Sequence, residues 1–400
     1  MFLLLVVLAP LQALPQAADD SVRVSVEYGS SVTLSVREDV RLRRNGAYQG
    51  LRYRERYGVL RRQPNDTYAG RLLTLEDTLR GTVRAAKRVE RGERVVVSLP
   101  RDGGVTVPSG QALPRLRHVP NFPDRELRVG DEWSSPGLWI ADPSGNESPF
   151  VALIAVAYRY RGVDTYQGET VHVFDGGYRL RYPREIPDEL APLVAATGLP
   201  VDSPHVSRAE GSHRLTVLVS ADGSRILLVR DVFTSVFTLT DGTELREEGF
   251  SLMFWRTSTP VDDVAQIEDE VEAIPETTVD RVEEGVRITL GNLRFQPDSA
   301  QMLPGESARL AAIADVLSRH SDRSILVVGH TADVARPEGQ RRLSVARARA
   351  VVDGLVTAGL RSSRLLYEGR GAREPVVPND TEAGRAQNRR VEVILLDDQL

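Results

Sequence analysis

The sequence predicts a multidomain protein. Its N-terminal part is expected to be all-β, a sandwich or half-barrel in two modules. An α+β domain with a mixed sheet and helices on one face is expected to follow. Three features of the 400-residue chain support this fold class. Runs rich in Val, Leu, Tyr and Thr, broken by Gly, Asp and Asn, continue to about residue 256. An acidic stretch follows. Beyond residue 285, strand patterns alternate with amphipathic helix patterns.

The N-terminus has the pattern of an export signal. Residues 2–9 are wholly apolar, Pro10 interrupts the run, and small residues lead to Asp19 and Asp20. The apolar run is far shorter than the ~20 residues that span a bilayer as a helix. We therefore predict a signal peptide over residues 1–18, export of the chain, and no transmembrane segment in its mature form.

The composition excludes several classes of function. The chain has no cysteine, which excludes disulfides, cysteine–zinc sites, a thiol nucleophile and a lipidated N-terminal cysteine. Lys87 is the only lysine among 51 basic residues, but the arginines are interspersed with carboxylates and form no basic stripe. Nucleic acid is therefore not an expected partner. No hydrolase motif or phosphate-binding loop is present, so neither catalysis nor a cofactor is expected.

Two β-rich domains are predicted, over residues 19–140 and 141–258. Prolines and glycines concentrate in residues 101–149, which places the boundary near residue 140. Strands and hairpins are predicted at residues 151–160 with 169–180, and at 213–220, 225–240 and 245–255, because Asp-Gly pairs supply the positive φ of tight turns. Charge on both faces of residues 39–44 and 51–62 favours a soluble sandwich or half-barrel over strands that face lipid.

The remainder divides into a linker and one α+β domain. Residues 259–284 contain ten acidic residues and one basic residue, Arg281, and are predicted to form an acidic, solvated linker with a short helix over residues 263–273 and a strand over residues 278–282. The α+β domain covers residues 285–400. Its predicted strands cover residues 286–295, 324–329, 365–368 and 391–396, and its predicted helices cover residues 307–320 and 338–358.

One residue breaks the apolar stripe of the second predicted helix. Leu343, Val351 and Leu355 share an i, i+4 stripe with Arg347. A guanidinium at the edge of a core is costly unless it meets an acceptor. Arg347 therefore either pairs inside the protein or borders a pocket and binds an anionic group bidentately.

An ordered series of short motifs crosses this domain. The segments are Asn292-Leu293-Arg294-Phe295, Asp298-Ser299-Ala300, Gly329-His330-Thr331, Leu343-Ser344, Arg347-Ala348, Gly369-Arg370-Gly371, Asn379 with Thr381, Gly384-Arg385, and Asn388-Arg389-Arg390-Val391-Glu392. The series resembles the OmpA-like domain shared by OmpA, the peptidoglycan-associated lipoprotein and flagellar stator proteins. The resemblance covers about residues 285–397.

The resemblance implies a clamp for the stem peptide of peptidoglycan. In the family, an aspartate after the Gly-His-Thr strand binds the ammonium of diaminopimelate, and the arginine of the second helix binds a carboxylate. Arg347 matches that arginine, whereas Ala332 stands at the aspartate position and Asp333 follows it. Three outcomes are open: Asp333 takes the role, the site binds a wall with a different diamino acid, or it does not bind peptidoglycan.

Other family positions are candidates for the same site. They are Thr331, Asp298, Ser299, Asn388 and Arg389. Each of the last four has a structural alternative, because Asp-Ser is ordinary turn chemistry and a residue pair before a terminal strand can cap or pair. His330 is expected to be structural. No second histidine or cysteine stands near it in the sequence, so no metal site is expected.

The leading functional hypothesis is a non-catalytic protein of the periplasm, associated with the cell wall or outer membrane. The OmpA-like domain would bind peptidoglycan, or would be a divergent version with weakened diaminopimelate binding. One alternative is a scaffold that binds another envelope protein. The other is a carrier with a ligand cavity in the β half, for which an apolar cavity between Phe233, Phe237 and Phe254 would be the sign.

Overall fold

The computed structural model describes residues 21–75, 86–143, 148–257, 264–291, 293–296, 299–320, 323–333 and 336–397. The predicted signal peptide lies outside these residues. Across the described ranges, none of the helices combines the length and the hydropathy that a membrane crossing requires.

The described residues are mostly β-strand, with few helices. The strands are β1 (Ser31–Arg44), β2 (Ala47–Arg62), β3 (Thr67–Leu75), β4 (Lys87–Ser98), β5 (Leu116–Arg117), β6 (Glu132–Ala141), β7 (Phe150–Tyr166), β8 (Glu169–Tyr182), β9 (Val206–Ser220), β10 (Ile226–Leu239), β11 (Glu244–Thr257), β12 (Thr277–Arg281), β13 (Gly285–Leu290), β14 (Ile325–His330), β15 (Leu365–Gly371) and β16 (Val391–Leu396). The α-helices are α1 (Ala191–Ala195), α2 (Val264–Val271), α3 (Glu306–Arg319), α4 (Pro337–Thr357) and α5 (Glu382–Asn388), and short 3-10 helices cover Asp188–Leu190 and Ser362–Arg364.

The β half, β1 to β11, is one continuous antiparallel sheet. Its order is β5-β6-β7-β8-β9-β10-β11-β1-β2-β3-β4. The predicted pairing of β7 with β8 and the predicted meander of β9, β10 and β11 are confirmed. Gly223 and Gly242, at φ 73° and 84°, supply the positive φ that the two meander turns require.

This sheet curves until distant strands share one core. Leu60 and Leu72, from β2 and β3, lie in the same apolar cluster as Phe174 and Val217 from β8 and β9. Residues 22–26 and 105–127 contribute further side chains to that cluster, so the proline-rich segment packs inside the curve of the sheet.

The organisation of this half differs from the predicted division at residue 140. That position lies inside β6, and β1 pairs along its length with β11, so both predicted β-rich domains contribute to one sheet. The proline and glycine content of residues 101–149 predicted a connection between two domains. The apolar residues of that segment, such as Phe122 and Leu127, instead bury it against the core.

The helix and the strand expected in the acidic segment are present, but over its described residues the segment is not a solvated linker. Residues 264–271 form α2, and β12 pairs with β13. Ile267, Val271 and Ile274 are buried in the same core as α3 and α4. Their spacing of four and three places them on one face, and this face packs into the core of the α+β domain.

The OmpA-like domain is a mixed sheet covered by helices on one face. The strand order is β12-β13-β16-β14-β15, with β14 and β15 parallel and the other pairs antiparallel. The helices predicted at residues 307–320 and 338–358 are confirmed as α3 and α4, and three predicted strands as β14, β15 and β16. The strand predicted at 286–295 ends earlier, at Leu290.

The other face of this sheet packs on the β half. A second apolar cluster combines residues of both parts: Tyr57, Val59, Leu73, Leu75 and Val89 with Leu326, Val328, Leu366, Ile394 and Leu396. Leu366 and Tyr367 of β15 pair in parallel with Lys87 and Arg88 of β4. Arg71 donates to both carboxylate oxygens of Glu368, at 2.6 and 2.8 Å. The two parts therefore share a core, an ion pair and a strand pairing.

Candidate functional site

Two glycines let α4 lie close to the sheet and so set the position of the site. A Cβ on Gly329 would lie 2.2 Å from the Ser344 carbonyl oxygen, and a Cβ on Gly369 would lie 2.3 Å from the Ser344 hydroxyl. No other residue type would permit this approach. The Ser344 hydroxyl also accepts from the Gly371 amide at 3.0 Å, so α4 is joined to the end of β15.

Arg347 lies on the buried face of α4 and is 9% exposed. Its Nε donates to the carbonyl oxygen of Ser299 at 3.2 Å. Its guanidinium carbon lies 4.9 Å from the centre of the Phe295 ring, a cation–π distance. The structure thus brings Arg347 into contact with Ser299. Asp298, the neighbouring candidate, lies outside the described residues.

The loop after β14 presents three candidate residues in different directions. The Thr331 amide donates to the Gly371 carbonyl at 2.9 Å, and its buried hydroxyl has no hydrogen-bond partner among the described residues. Ala332 is 2% exposed, whereas Asp333 is exposed. Successive side chains of an extended loop point to opposite sides. Asp333 therefore does not occupy the place of the Ala332 side chain.

The Asp333 carboxylate is held by the first turn of α4. Gln340 Nε2 donates to its Oδ1 at 2.9 Å, and the Asp333 amide donates to Asn379 Oδ1 at 3.2 Å. Gln340 and Arg347 are seven residues apart on one buried face of α4, which separates their backbones by about 10 Å along the helix axis. The carboxylate is thus held at the opposite end of that face from the guanidinium.

Asn388 is connected to the loop after β14 by hydrogen bonds through Asn379. Its side chain is fully buried, accepts from the Val376 amide at 2.8 Å and donates to the Val377 carbonyl at 2.7 Å. It also donates to Asn379 Oδ1 at 3.0 Å, the oxygen that accepts from Asp333. Asn388 is therefore a positioning residue.

Arg389 points elsewhere, to an ion pair with Glu382 at 2.5 Å on the surface of α5. The structure does not bring it to Arg347 or to the loop. Gln340 and Asn379 are the residues whose role sequence reasoning missed. The i, i+7 spacing of Gln340 from Arg347 was a signal that both side chains lie on one helix face.

His330 belongs to a buried charged cluster on the sheet face opposite the helices. Its Nε2 lies 3.5 Å from Glu392 Oε1, and Arg390 Nε donates to the same oxygen at 2.8 Å. Burial lowers the pKa of His330, which favours the neutral ring. This geometry is that of a structural residue.

The apolar cavity that would indicate a carrier is not formed by the three predicted phenylalanines. Phe237 packs in one core cluster, and Phe254 packs against another with Val171 and Leu218. Phe233 lines a cavity of about 80 Å³ in the β half, together with charged side chains. Typical small-molecule sites measure about 300–1,000 Å³, so this cavity is too small for a lipid or a peptide.

The chain was compared with known proteins. Residues 294–389 match the OmpA family. The probable lipoprotein YiaD of Escherichia coli is 36% identical over 104 residues, which are 26% of this chain and 48% of YiaD. The peptidoglycan-binding protein ArfA of Mycobacterium tuberculosis is 32% identical over 108 residues, which are 27% of this chain and 33% of ArfA.

Among solved structures, the cell wall anchor of the T6SS from Pseudomonas aeruginosa is 29% identical, with a TM-score of 0.30, and the match covers 34% of this chain and 97% of that one. The chain spans about half or less of the length of the two curated relatives. The match is confined to the part that carries Arg347, the loop after β14 and Asn388. This chain therefore carries an OmpA-family domain at residues 294–389.

Proposed function

We propose that this chain is a non-catalytic protein of the periplasm, associated with the cell wall or outer membrane, whose OmpA-like domain binds the stem peptide of peptidoglycan. The domain family and the peptidoglycan-binding relative support the ligand class. Two observations carry the proposal: Arg347 lies at the edge of the core, and the buried hydroxyl of Thr331 has no hydrogen-bond partner among the residues that the structure describes. Gly329 lies against Ser344 and Ala348, so the loop after β14 continues beside the turn of α4 that carries Arg347.

The same geometry supports weak rather than tight binding of diaminopimelate. An ammonium group within about 4 Å of a carboxylate gains roughly 1–4 kcal/mol at the effective dielectric of a surface or cleft. Ala332 offers a methyl group at that place, and Asp333 is exposed and held by Gln340. At 1.4 kcal/mol per tenfold, the missing contact weakens affinity about five-fold to a thousand-fold. Arg347 alone holds a carboxylate but does not select the amine.

The test is a calorimetric titration of free diaminopimelate into the mature chain and four variants. We expect Ala332→Asp to tighten binding by at least five-fold and Arg347→Ala to abolish it. Arg349→Ala is the matched control, because Arg349 lies on the exposed face of the same helix and is expected to change nothing. Micromolar binding by the unmodified chain, unaltered by Ala332→Asp but lost in Asp333→Asn, would mean that Asp333 supplies the charge.

Purified sacculi of the host test the wall association directly. We expect the mature chain to sediment with sacculi and Arg347→Ala to remain in the supernatant, with Arg349→Ala as the control. Equal sedimentation of both variants would contradict the proposal and would favour the alternative of a scaffold that binds another envelope protein. The carrier alternative has less support, because the cavity lined by Phe233 is only about 80 Å³. A more open pocket of about 740 Å³ lies beside Tyr178, but polar and charged side chains such as Arg179 and Arg181 line it, not an apolar surface.

A further inference from the structure

The cavity of about 80 Å³ in the β half is lined by none of the candidate residues of the OmpA-like domain, and both apolar and charged side chains form its wall. Its apolar part comes from inward-facing strand residues such as Leu34, Leu72 and Met253. Its charged part includes Arg52 and Arg56 of β2, and Arg115, which lies in the proline-rich segment that covers the curved sheet. Charged side chains rarely line an enclosed space unless they are paired or bind a ligand.

The arginines outnumber their carboxylate partners. Arg54 lies between Arg52 and Arg56 on the same face of β2, because strand residues alternate. Arg56 pairs with Glu38 at 3.2 Å, and Arg52 pairs with Glu247 at 2.9 Å. Within the described part of the chain, neither Arg54 nor Arg115 has a carboxylate oxygen within 4 Å, and Arg52 Nε is buried without a hydrogen-bond partner.

The pKa shifts show that the four guanidiniums are close enough to act on one another. Burial would raise the pKa of Glu38, but Arg56, Arg115, Arg52 and Arg54 together lower it to about 2. Burial lowers the pKa of Arg56 to about 10, and repulsion from Arg115 and Arg54 contributes to this. A second anion at this place would relieve that repulsion.

Three carboxylates that the structure describes line the same cavity: Glu38 and Glu247, which pair with Arg56 and Arg52, and Asp231. Asp231 has partners of its own. It accepts from Tyr178 at 3.3 Å and lies 2.8 Å from His213 Nδ1, and its Oδ1 has no hydrogen-bond partner among the described residues. It stands on β10, which is three strands from β2 in the sheet. The carboxylates that contact the arginines are instead Glu38 of β1 and Glu247 of β11, and Arg56 and Arg52 already offset their charge.

We propose that this cavity binds a small oxyanion, a carboxylate or phosphate group, between Arg115 and the arginines of β2. Guanidinium groups match both anions bidentately. A space of about 80 Å³ accepts such a group but not a lipid chain, so a larger ligand would have to extend out of the cavity. The ligand is thus either a free anion or the anionic end of a larger molecule.

The test is the melting temperature of the mature chain as inorganic phosphate is added at constant ionic strength, with chloride as the balancing anion. We expect phosphate to raise the melting temperature. In Arg115→Ala the apparent dissociation constant should increase at least ten-fold. Among the described residues Arg115 has no carboxylate within 4 Å, and its attraction to Glu38 is opposed by its repulsion of Arg54 and Arg56, so its removal should change the melting temperature little without phosphate. Arg41→Ala, on the exposed face of β1, is the matched control.

Two results would overturn the proposal. One is the absence of any phosphate-dependent shift in the unmodified chain, which would mean that the cavity holds water only. The other is an equal shift in Arg115→Ala and in the unmodified chain. A parallel titration with butyl phosphate identifies the source of the anion: tighter binding than inorganic phosphate indicates the end of a larger molecule, and equal or weaker binding indicates a free anion.

Discussion

The apolar cluster shared by the two parts predicts that the β half and the OmpA-like domain unfold together. Leu366 is 1% exposed and belongs to the OmpA-like domain, but half of its cluster comes from β2, β3 and β4. Replacing a buried leucine with alanine costs about 2–5 kcal/mol, through lost burial and the remaining cavity. We expect Leu366→Ala to lower the free energy of unfolding of both parts together by this amount.

The size of the shift distinguishes one unfolding unit from two. The unfolding entropy is about 2.1 cal/mol/K per residue, or roughly 0.8 kcal/mol/K for a unit of nearly 400 residues. A loss of 2–5 kcal/mol then lowers the melting temperature by about 3–6 °C. If the last ~130 residues unfolded alone, the same loss would lower their melting temperature by roughly 7–18 °C and would not affect the β half.

The chain provides a separate signal for each part. All three tryptophans, Trp133, Trp139 and Trp255, lie in the β half, so their fluorescence follows that half. Four of the five described helices, α2 to α5, lie in the last part, so circular dichroism at 222 nm follows mainly that part. We expect Leu366→Ala to lower both transitions by the same amount.

The reciprocal change is the control. Val59 lies in the same cluster but belongs to the β half, so Val59→Ala should lower the helical transition as well as the fluorescence transition. Two separate transitions in the unmodified chain would refute the reasoning. So would a large shift of the helical signal in Leu366→Ala with no change in fluorescence.

Two further predictions follow from the OmpA-like domain. Burial would raise the pKa of Glu392, but His330, Arg390 and Arg287 lower it to about 2. The ionised Glu392 carboxylate therefore stabilises the folded state by on the order of 3 kcal/mol at pH values above its unfolded pKa. This stabilisation is lost as the pH falls from about 4.5 towards 2. The difference in urea midpoint between the unmodified chain and Glu392→Gln should therefore shrink over that range; a constant difference would contradict this. Gly329→Ala should destabilise by about 1–3 kcal/mol, because its Cβ would meet the Ser344 carbonyl oxygen. Gly339→Ala, with nothing within 4 Å of its Cβ, should stabilise by about 0.4–1 kcal/mol in the same thermal melts.

Local periodicity was sufficient for the elements of the OmpA-like domain. Leu310, Ile313, Ala314 and Leu317 have helical spacing, and all four are buried in α3. The ordered motifs around Arg347 predicted the family, which the comparison confirms. These features depend on residues close together in the chain, and so sequence spacing reports them directly.

The contacts of the candidate site depended on tertiary structure. The sequence placed Ala332 and Asp333 side by side but did not decide which would face inwards. The structure buries Ala332 and holds Asp333 by Gln340, because α4 packs on the two glycines at the strand ends. Asn388 reaches Asp333 only through Asn379, a connection that no spacing along the chain indicates.

The packing of the OmpA-like domain on the β half also could not be predicted from the sequence. The apolar run of residues 325–328 predicted a strand but not what would cover it, and the structure covers Leu326 and Val328 with β2, β3 and β4. Arg115 and the arginines of β2 are likewise distant in sequence, and the curvature of the sheet brings them to one cavity. Sequence alone determined which residues form strands and helices and which family the last domain resembles. Sheet curvature and helix packing decided which surfaces and charges meet, because these contacts join residues whose separation along the chain carries no periodic signal.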